Sequence, residues 1–226
     1  AFQLLAIVWT YFLAGTLDFR PGGILEGAAL SAGATTGLLA LYVFGIGKAA
    51  VMPFHRWLPA AMVAPTPVSA LLHAVAVVKA GVFSILKVAV YIFGMDSLSA
   101  WNANDWLIYP AGFTVIAASA VALGILWRQG NLKRLLAYST ISQLSYIVLG
   151  ALVANRLGIL GGGMHIATHA LGKITLFFAA GAVYVAGNRT EVSHLRGLGR
   201  RMPWTMGAFA VASLSMIGLP PTGGFL

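Results

Sequence analysis

The chain has 226 residues, 59% of them hydrophobic and 8% charged, with a mean hydropathy of +0.88. Soluble domains carry roughly 25% charged residues, so this composition excludes a chain solvated on all sides and points to an integral membrane protein. Fourteen Lys and Arg stand against five Asp and Glu, with no cysteine, which excludes disulfides and thiolate metal sites.

Apolar runs of about 20 residues can cross a bilayer. Predicted spans fall at 1–17 (partial), 28–50, 67–93, 107–127, 136–154 and 158–187, and a seventh opens near 204. Lipid leaves an open strand's backbone unsatisfied, so the expected fold class is all-α: a polytopic transmembrane helical bundle forming one membrane domain over 1–226. The opening stretch "AFQLLAIVWTYFLAGTLDFR" lacks an initiator Met and the basic flank of a signal peptide. With "IGLPPTGGFL" stopping in mid-pattern at the other end, the chain is expected to be a fragment of a longer protein.

Loop charges test the span assignment. Loops after the second, fourth and sixth spans hold eight basic residues: Arg56, Arg128, Lys133, Arg134, Arg189, Arg196, Arg200 and Arg201. The alternate loops hold Arg20 and Arg156, together with Asp18, Glu26, Asp96 and Asp105. The basic loops are therefore expected on the cytoplasmic side, or on the matrix or stromal side in an organelle. A nucleic-acid surface would gather such charges on one exposed face; their place in short loops makes orientation the better account, and no nucleic-acid partner is expected.

Four lysines lie within or near the spans. Lys48 precedes "AAVMPFHRWLPAAMVAPTP", where Pro53 and Pro59 remove helical hydrogen bonds, so a helix broken at membrane depth is expected there. A similar interruption, "GLPPTGGF", ends the chain five spans later. That odd offset predicts opposite directions, as in an inverted repeat with discontinuous helices. Lys79 sits near the middle of 67–93, six residues after His73, and Lys87 is expected to snorkel outward. His55 and Trp57 read as interfacial.

"MHIATHALGK" places His165, His169 and Lys173 four residues apart in turn. That spacing makes one helical stripe about 12 Å long. Imidazole exchanges protons near neutral pH, and desolvation can bring a lysine into the same range, so the stripe suits a proton relay bridged by water. His73 and Lys79 read as members of a second relay. The blander account has the histidines bonded to neighbouring helices and Lys173 paired with a carboxylate elsewhere. A metal site lacks the ligands to complete its shell, and no metal or cofactor is expected.

Three stretches together suggest a family. "GKAAVMPFHRWLPAAMVAPTPVSALLHAVAVVKAG" (47–81), "NLKRLLAYSTISQLSYI" (131–147) and "MHIATHALGKITLFFAAGAV" (164–183) resemble the antiporter-like membrane subunits of respiratory complex I, of Mrp-type cation/proton antiporters and of membrane-bound hydrogenases. The resemblance covers essentially the whole chain and implies the central part of such a protein, from its sixth helix into its twelfth. It implies that Lys48 is the lysine of the first broken helix, that His73 and Lys79 serve the next, and that His165, His169 and Lys173 form the relay of the eleventh. The family's fifth-helix glutamate and twelfth-helix charged residue would lie outside this chain. Having His73 and Lys79 together looks more like Mrp-type, hydrogenase-linked or distal complex I subunits than the middle complex I ones.

The function this implies is proton translocation, with sodium as an alternative cargo, in a bacterial or archaeal inner membrane. The chain would act with other membrane subunits and would not itself be catalytic, its redox chemistry belonging to its partners. The competing classes are a structural subunit with inert, paired lysines, and a solute carrier with a midplane pocket of several hundred Å³.

Overall fold

The computed structural model describes residues 1–226 apart from 27, 29, 73–75, 102–104 and 226. Eleven α-helices occur among the described residues: α1 Phe2–Ala14, α2 Ala32–Gly45, α3 Trp57–Ala60, α4 Thr66–Ala70, α5 Val77–Lys87, α6 Met95–Trp101, α7 Asp105–Trp127, α8 Leu132–Leu152, α9 Arg156–Gly187, α10 Leu198–Arg201 and α11 Pro203–Ile217. No β-strand occurs among them, only an isolated bridge between Asn131 and Glu191. Three helices, α7, α8 and α9, are long and apolar enough to cross a membrane; α1, α2 and α11 are apolar but shorter.

Asparagines set the ends of the two central helices. Asn131 caps α8 by accepting from Arg134 N at 3.2 Å, and Asn155 caps α9 by accepting from Gly158 N. Asn188 closes α9 in the left-handed region at φ 50°, a conformation that asparagine tolerates. Between these caps α9 runs unbroken through 32 residues.

One expectation needs correction. The prolines do not end α2: it stops at Gly45, eight residues before Pro53, through the non-helical Ile46, a 3-10 turn at Gly47–Ala49 and a left-handed Ala50. Pro59 sits in the first turn of α3, where a backbone N–H has no helical acceptor to lose. Within the span expected over 67–93 the described residues include α4, α5 and a π-helical turn. α4 ends at Ala70, α5 starts at Val77, and the chain passes from α5 into a π-helical turn, Val88–Phe93.

The loop charges segregate to the two ends of the bundle. At one end Lys133 Nζ donates to the Ala64 carbonyl, Leu132 N to Thr190 O and Val192 N to Gly130 O. These bonds tie the loops around Arg56, Arg128 and Arg189 together. At the other, Ile24 N and Leu25 N donate to Tyr91 O and Ile92 O, and Ser99 Oγ donates to Ala154 O. That end carries Arg20 and Arg156. Lys87 lies there too, 4.6 Å from the Phe19 ring and near Phe83 and Tyr91, its charge held by aromatic faces. α2 therefore runs inward from this end and α11 inward from the basic end.

The apolar core falls into two clusters. The larger joins α1, α2, α5, α7 and the later turns of α8, from Ile141 onward. The smaller joins Met62, Ala70, Leu132, Leu136 and Ala137 to Leu176, Phe177 and Ala212. Along α8 the smaller cluster ends at Ala137 and the buried members of the larger begin at Ile141, and along α9 the change falls between Ile166 and Leu176.

α8 and α9 are adjacent antiparallel helices joined by a short turn, and glycine sets how closely they cross. A Cβ on Gly158 would lie 2.5 Å from the Gly150 carbonyl oxygen, and one on Gly150 would lie 2.8 Å from that of Gly158. Small residues permit such backbone approach in membrane helices. Gly158→Val should push the pair apart and destabilise the full-length protein by about 1–3 kcal/mol, read as a lowered thermal midpoint in detergent. Gly163→Ala, whose added methyl meets open space, should leave it unchanged.

Candidate functional site

The boundary between the two apolar clusters is where the ionisable side chains converge. Lys173 is 0% exposed, His169 1% and Lys79 5%. Lys79 reaches from α5 to α9, its Nζ hydrogen-bonded to Nδ1 of His169. The rings of His169 and His165, one turn apart on α9, have centroids 5.6 Å apart. Lys173, one turn further along, points onto α8, donating to the Leu136 carbonyl at 3.1 Å and to Ser139 Oγ at 3.0 Å.

Among the described residues no carboxylate answers the buried lysines, and the sole ion pair is His194 with Glu191, at 3.8 Å on the surface. Neutral dipoles take the carboxylate's place. The Leu136 carbonyl receives Thr140 Oγ1 at 2.8 Å as well as Lys173, and Ser139 adds its hydroxyl. A carbonyl has two lone pairs and can serve both donors.

The six residues singled out in the sequence are distributed unevenly. His165, His169 and Lys173 lie on one continuous helix face, as the four-residue spacing requires. Lys79 joins their cluster through His169. Lys48 stands apart on the Gly47–Ala49 turn, exposed to a cavity of about 760 Å³ that also touches Gly81 and Ser84 of α5. Its link to the cluster is backbone packing: a Cβ on Gly81 would lie 2.5 Å from Ala49 N and 2.6 Å from the Lys48 carbonyl carbon. His73 lies outside the described residues. His55 is half-buried beside Tyr138, ring centroids 6.3 Å apart.

Sequence reasoning missed Ser139 and the Leu136 carbonyl. A backbone acceptor has no residue type to betray it. Ser139 sits in "AYSTISQLSY", whose hydroxyls at 139, 140, 142 and 145 fall within an otherwise apolar span. Such a run was the available signal. No group of three or more His, Cys, Asp or Glu able to hold a metal occurs among the described residues.

Fold and cluster together define a class: an all-helical membrane protein with protonatable side chains buried between close-packed spans. Residues 1–226 match the family described as NADH:quinone oxidoreductase/Mrp antiporter, transmembrane. The chain is 36% identical over 228 residues to NADH-quinone oxidoreductase subunit N of Desulforudis audaxviator, covering 99% of this chain and 44% of that protein. It is 36% identical over 229 residues to hydrogenase-4 component B of Escherichia coli, covering 94% and 32%. A probable K(+)/H(+) antiporter component of Rhizobium meliloti is 40% identical over 190 residues, covering 84% and 18%. Among solved structures, the Mrp complex from Dietzia sp. superposes with a TM-score of 0.79 at 33% identity, covering 98% of this chain and 24% of the matched one. The chain belongs to this antiporter-like family of membrane subunits, and it spans less than half the length of these relatives.

Replacing Ser139 by Ala removes one of two neutral acceptors of a fully buried amine. A loss of about 1–2 kcal/mol is expected, measurable as a lower thermal midpoint of the full-length protein. Ser139→Thr, which keeps the hydroxyl, should retain most of it.

Proposed function

We propose that the chain carries protons along a lateral path through the middle of the membrane, passed among Lys48, Lys79 and Lys173 with His73, His165 and His169. The observation that carries this reading is the direct Lys79–His169 contact between two helices, with Lys173 one helical turn away and, among the described residues, no carboxylate to fix its charge. Amines and imidazoles in a low-dielectric interior influence one another strongly, so a proton gained at one site alters the affinity of the next. An electrostatic event in a neighbouring protein of the complex would thereby drive uptake on one side and release on the other.

Several further elements belong to this proposal. Residues 1–226 form one membrane domain of a longer protein. The non-helical segments after Gly45 and after Ile217 are the breaks of discontinuous helices in an inverted repeat, as their opposite directions suggest. The partners are other membrane subunits of a respiratory, hydrogenase or Mrp-type complex, in keeping with the relatives' names. The location is the inner membrane of a bacterium or archaeon, with the basic loops cytoplasmic. A potassium/proton exchanger among the relatives keeps a metal cation, sodium included, open as a second cargo.

A solute carrier has one observation on its side, the 760 Å³ cavity at Lys48. That cavity holds a single charged side chain and would suit a small anion. Uptake of such an anion by the full-length protein, independent of any proton gradient, would favour this reading.

The test of the relay is Lys173→Ala in the intact assembled complex, reconstituted in vesicles with a pH-sensitive dye. Proton translocation should disappear while the complex still assembles; translocation at the parent rate would refute the assignment. Lys79→Ala should have a comparable effect, because it removes the bridge from α5 to His169.

A further inference from the structure

Nε2 of His165 is buried and has no hydrogen-bond partner among the described residues. A buried ring nitrogen left unserved costs roughly 1–3 kcal/mol, so a group able to serve it should lie near. His165 lines a cleft of about 380 Å³ between α8, α9 and the end of α11. The polar side chains on its wall, besides His165, are Gln143 and Tyr146, both from α8.

The helix register brings Gln143 to His165. Gly150 and Gly158 fix the crossing of two antiparallel helices. Gln143 lies seven residues before Gly150, and His165 seven after Gly158. Seven residues are close to two helical turns, so each returns to the contact face and the two meet at the same depth. Further along the pair, Leu136 lies seven residues before Gln143 and Lys173 eight after His165, and the 3.1 Å hydrogen bond from Lys173 Nζ to the Leu136 carbonyl keeps the two helices side by side at that level. Gln143 is only half-buried, and the cleft gives its side chain room to turn.

We propose that Gln143 is a positioning residue for His165, turning into the cleft to bond Nε2 directly or through one water. An amide suits this task because it offers both a donor and an acceptor. Its carbonyl serves a protonated Nε2 and its NH₂ an unprotonated one, so both states of the ring find a partner without a competing charge. Tyr146 lines the same cleft with a hydroxyl able to hold the bridging water. This inference rests on the relay reading and assigns a residue that supports it.

The experiment compares variants in the full-length assembled complex, with Lys173→Ala measured alongside. Gln143→Met keeps length and shape but removes both donor and acceptor. It should reduce proton translocation by about tenfold, the rate equivalent of one lost hydrogen-bond partner. Gln143→Asn and Gln143→His, which retain polar atoms, should recover most of the rate; equal losses in all three would mark a packing role and overturn the proposal. Gly161 also lines the cleft, and a side chain added there meets open space. Gly161→Leu should therefore fill the cleft and mimic Gln143→Met. If Gln143→Met does not assemble, this variant decides, and translocation at the parent rate overturns the proposal. Loss of translocation in Lys173→Ala with a normal rate in Gln143→Met would remove the role of Gln143 and leave the relay standing. A normal rate in Lys173→Ala would remove the relay itself.

Discussion

The approach of α8 to α9 at Gly150 and Gly158 is the constraint on which the buried site depends. Neither helix has a hydrophobic reason to choose one lipid-soluble neighbour over another, so close packing and polar contacts must select the pair. Backbone atoms meet where both side chains are absent, and that fixes rotation and register for the rest of each helix. The consequences follow along both helices: Gln143 and His165 line one cleft, and Lys173 reaches the Leu136 carbonyl. A slip of one residue would rotate Lys173 by about 100 degrees, away from the carbonyl and hydroxyl that now receive it. Glycine is a poor helix former, at about 1 kcal/mol relative to alanine, yet α9 tolerates Gly158, Gly161, Gly162 and Gly163 within one stretch.

The second constraint is electrostatic. An amine buried without a carboxylate is unfavourable in its charged form, and this chain buries two, Lys79 and Lys173. The partners offered to them are an imidazole, a carbonyl and a hydroxyl. These dipoles satisfy the hydrogen bonds of the two amines without placing a counter-charge beside them. Placement at the meeting of two apolar clusters serves the same end. A seam between separately packed cores can admit polar groups at less cost to packing than the middle of either.

Much of the architecture could be read from the sequence because it rests on local rules. The apolar runs at 107–127, 136–154 and 158–187 correspond to α7, α8 and α9, and the eight-against-two division of loop charge corresponds to the two ends of the bundle. The His165, His169 and Lys173 stripe follows from helical period alone. What escaped reading is tertiary. That Lys79 would meet His169 depends on how α5 lies across α9, ninety residues away in sequence. The end of α2 at Gly45 escaped as well, because proline is a visible helix breaker whereas Ile46 and Ala50 depart from helical geometry with no compositional mark. Ser139 was visible as a residue but not as a partner, since nothing local says which way a span turns its hydroxyls.

Lys48 shows how a residue can be tied to a site without touching it. Its side chain faces the open cavity rather than the buried cluster, and its turn meets that cluster through α5. Gly81, two residues after Lys79, is the point where the Lys48 turn rests on α5. A rigid α-helix transmits displacement over two residues with little loss, about 3 Å of axial distance, so movement of the Lys48 turn would be felt at the Lys79–His169 bond. The same geometry sets a limit. With no bulky side chain at Gly81, the turn and α5 are in backbone contact and cannot close further, so the turn can only move away.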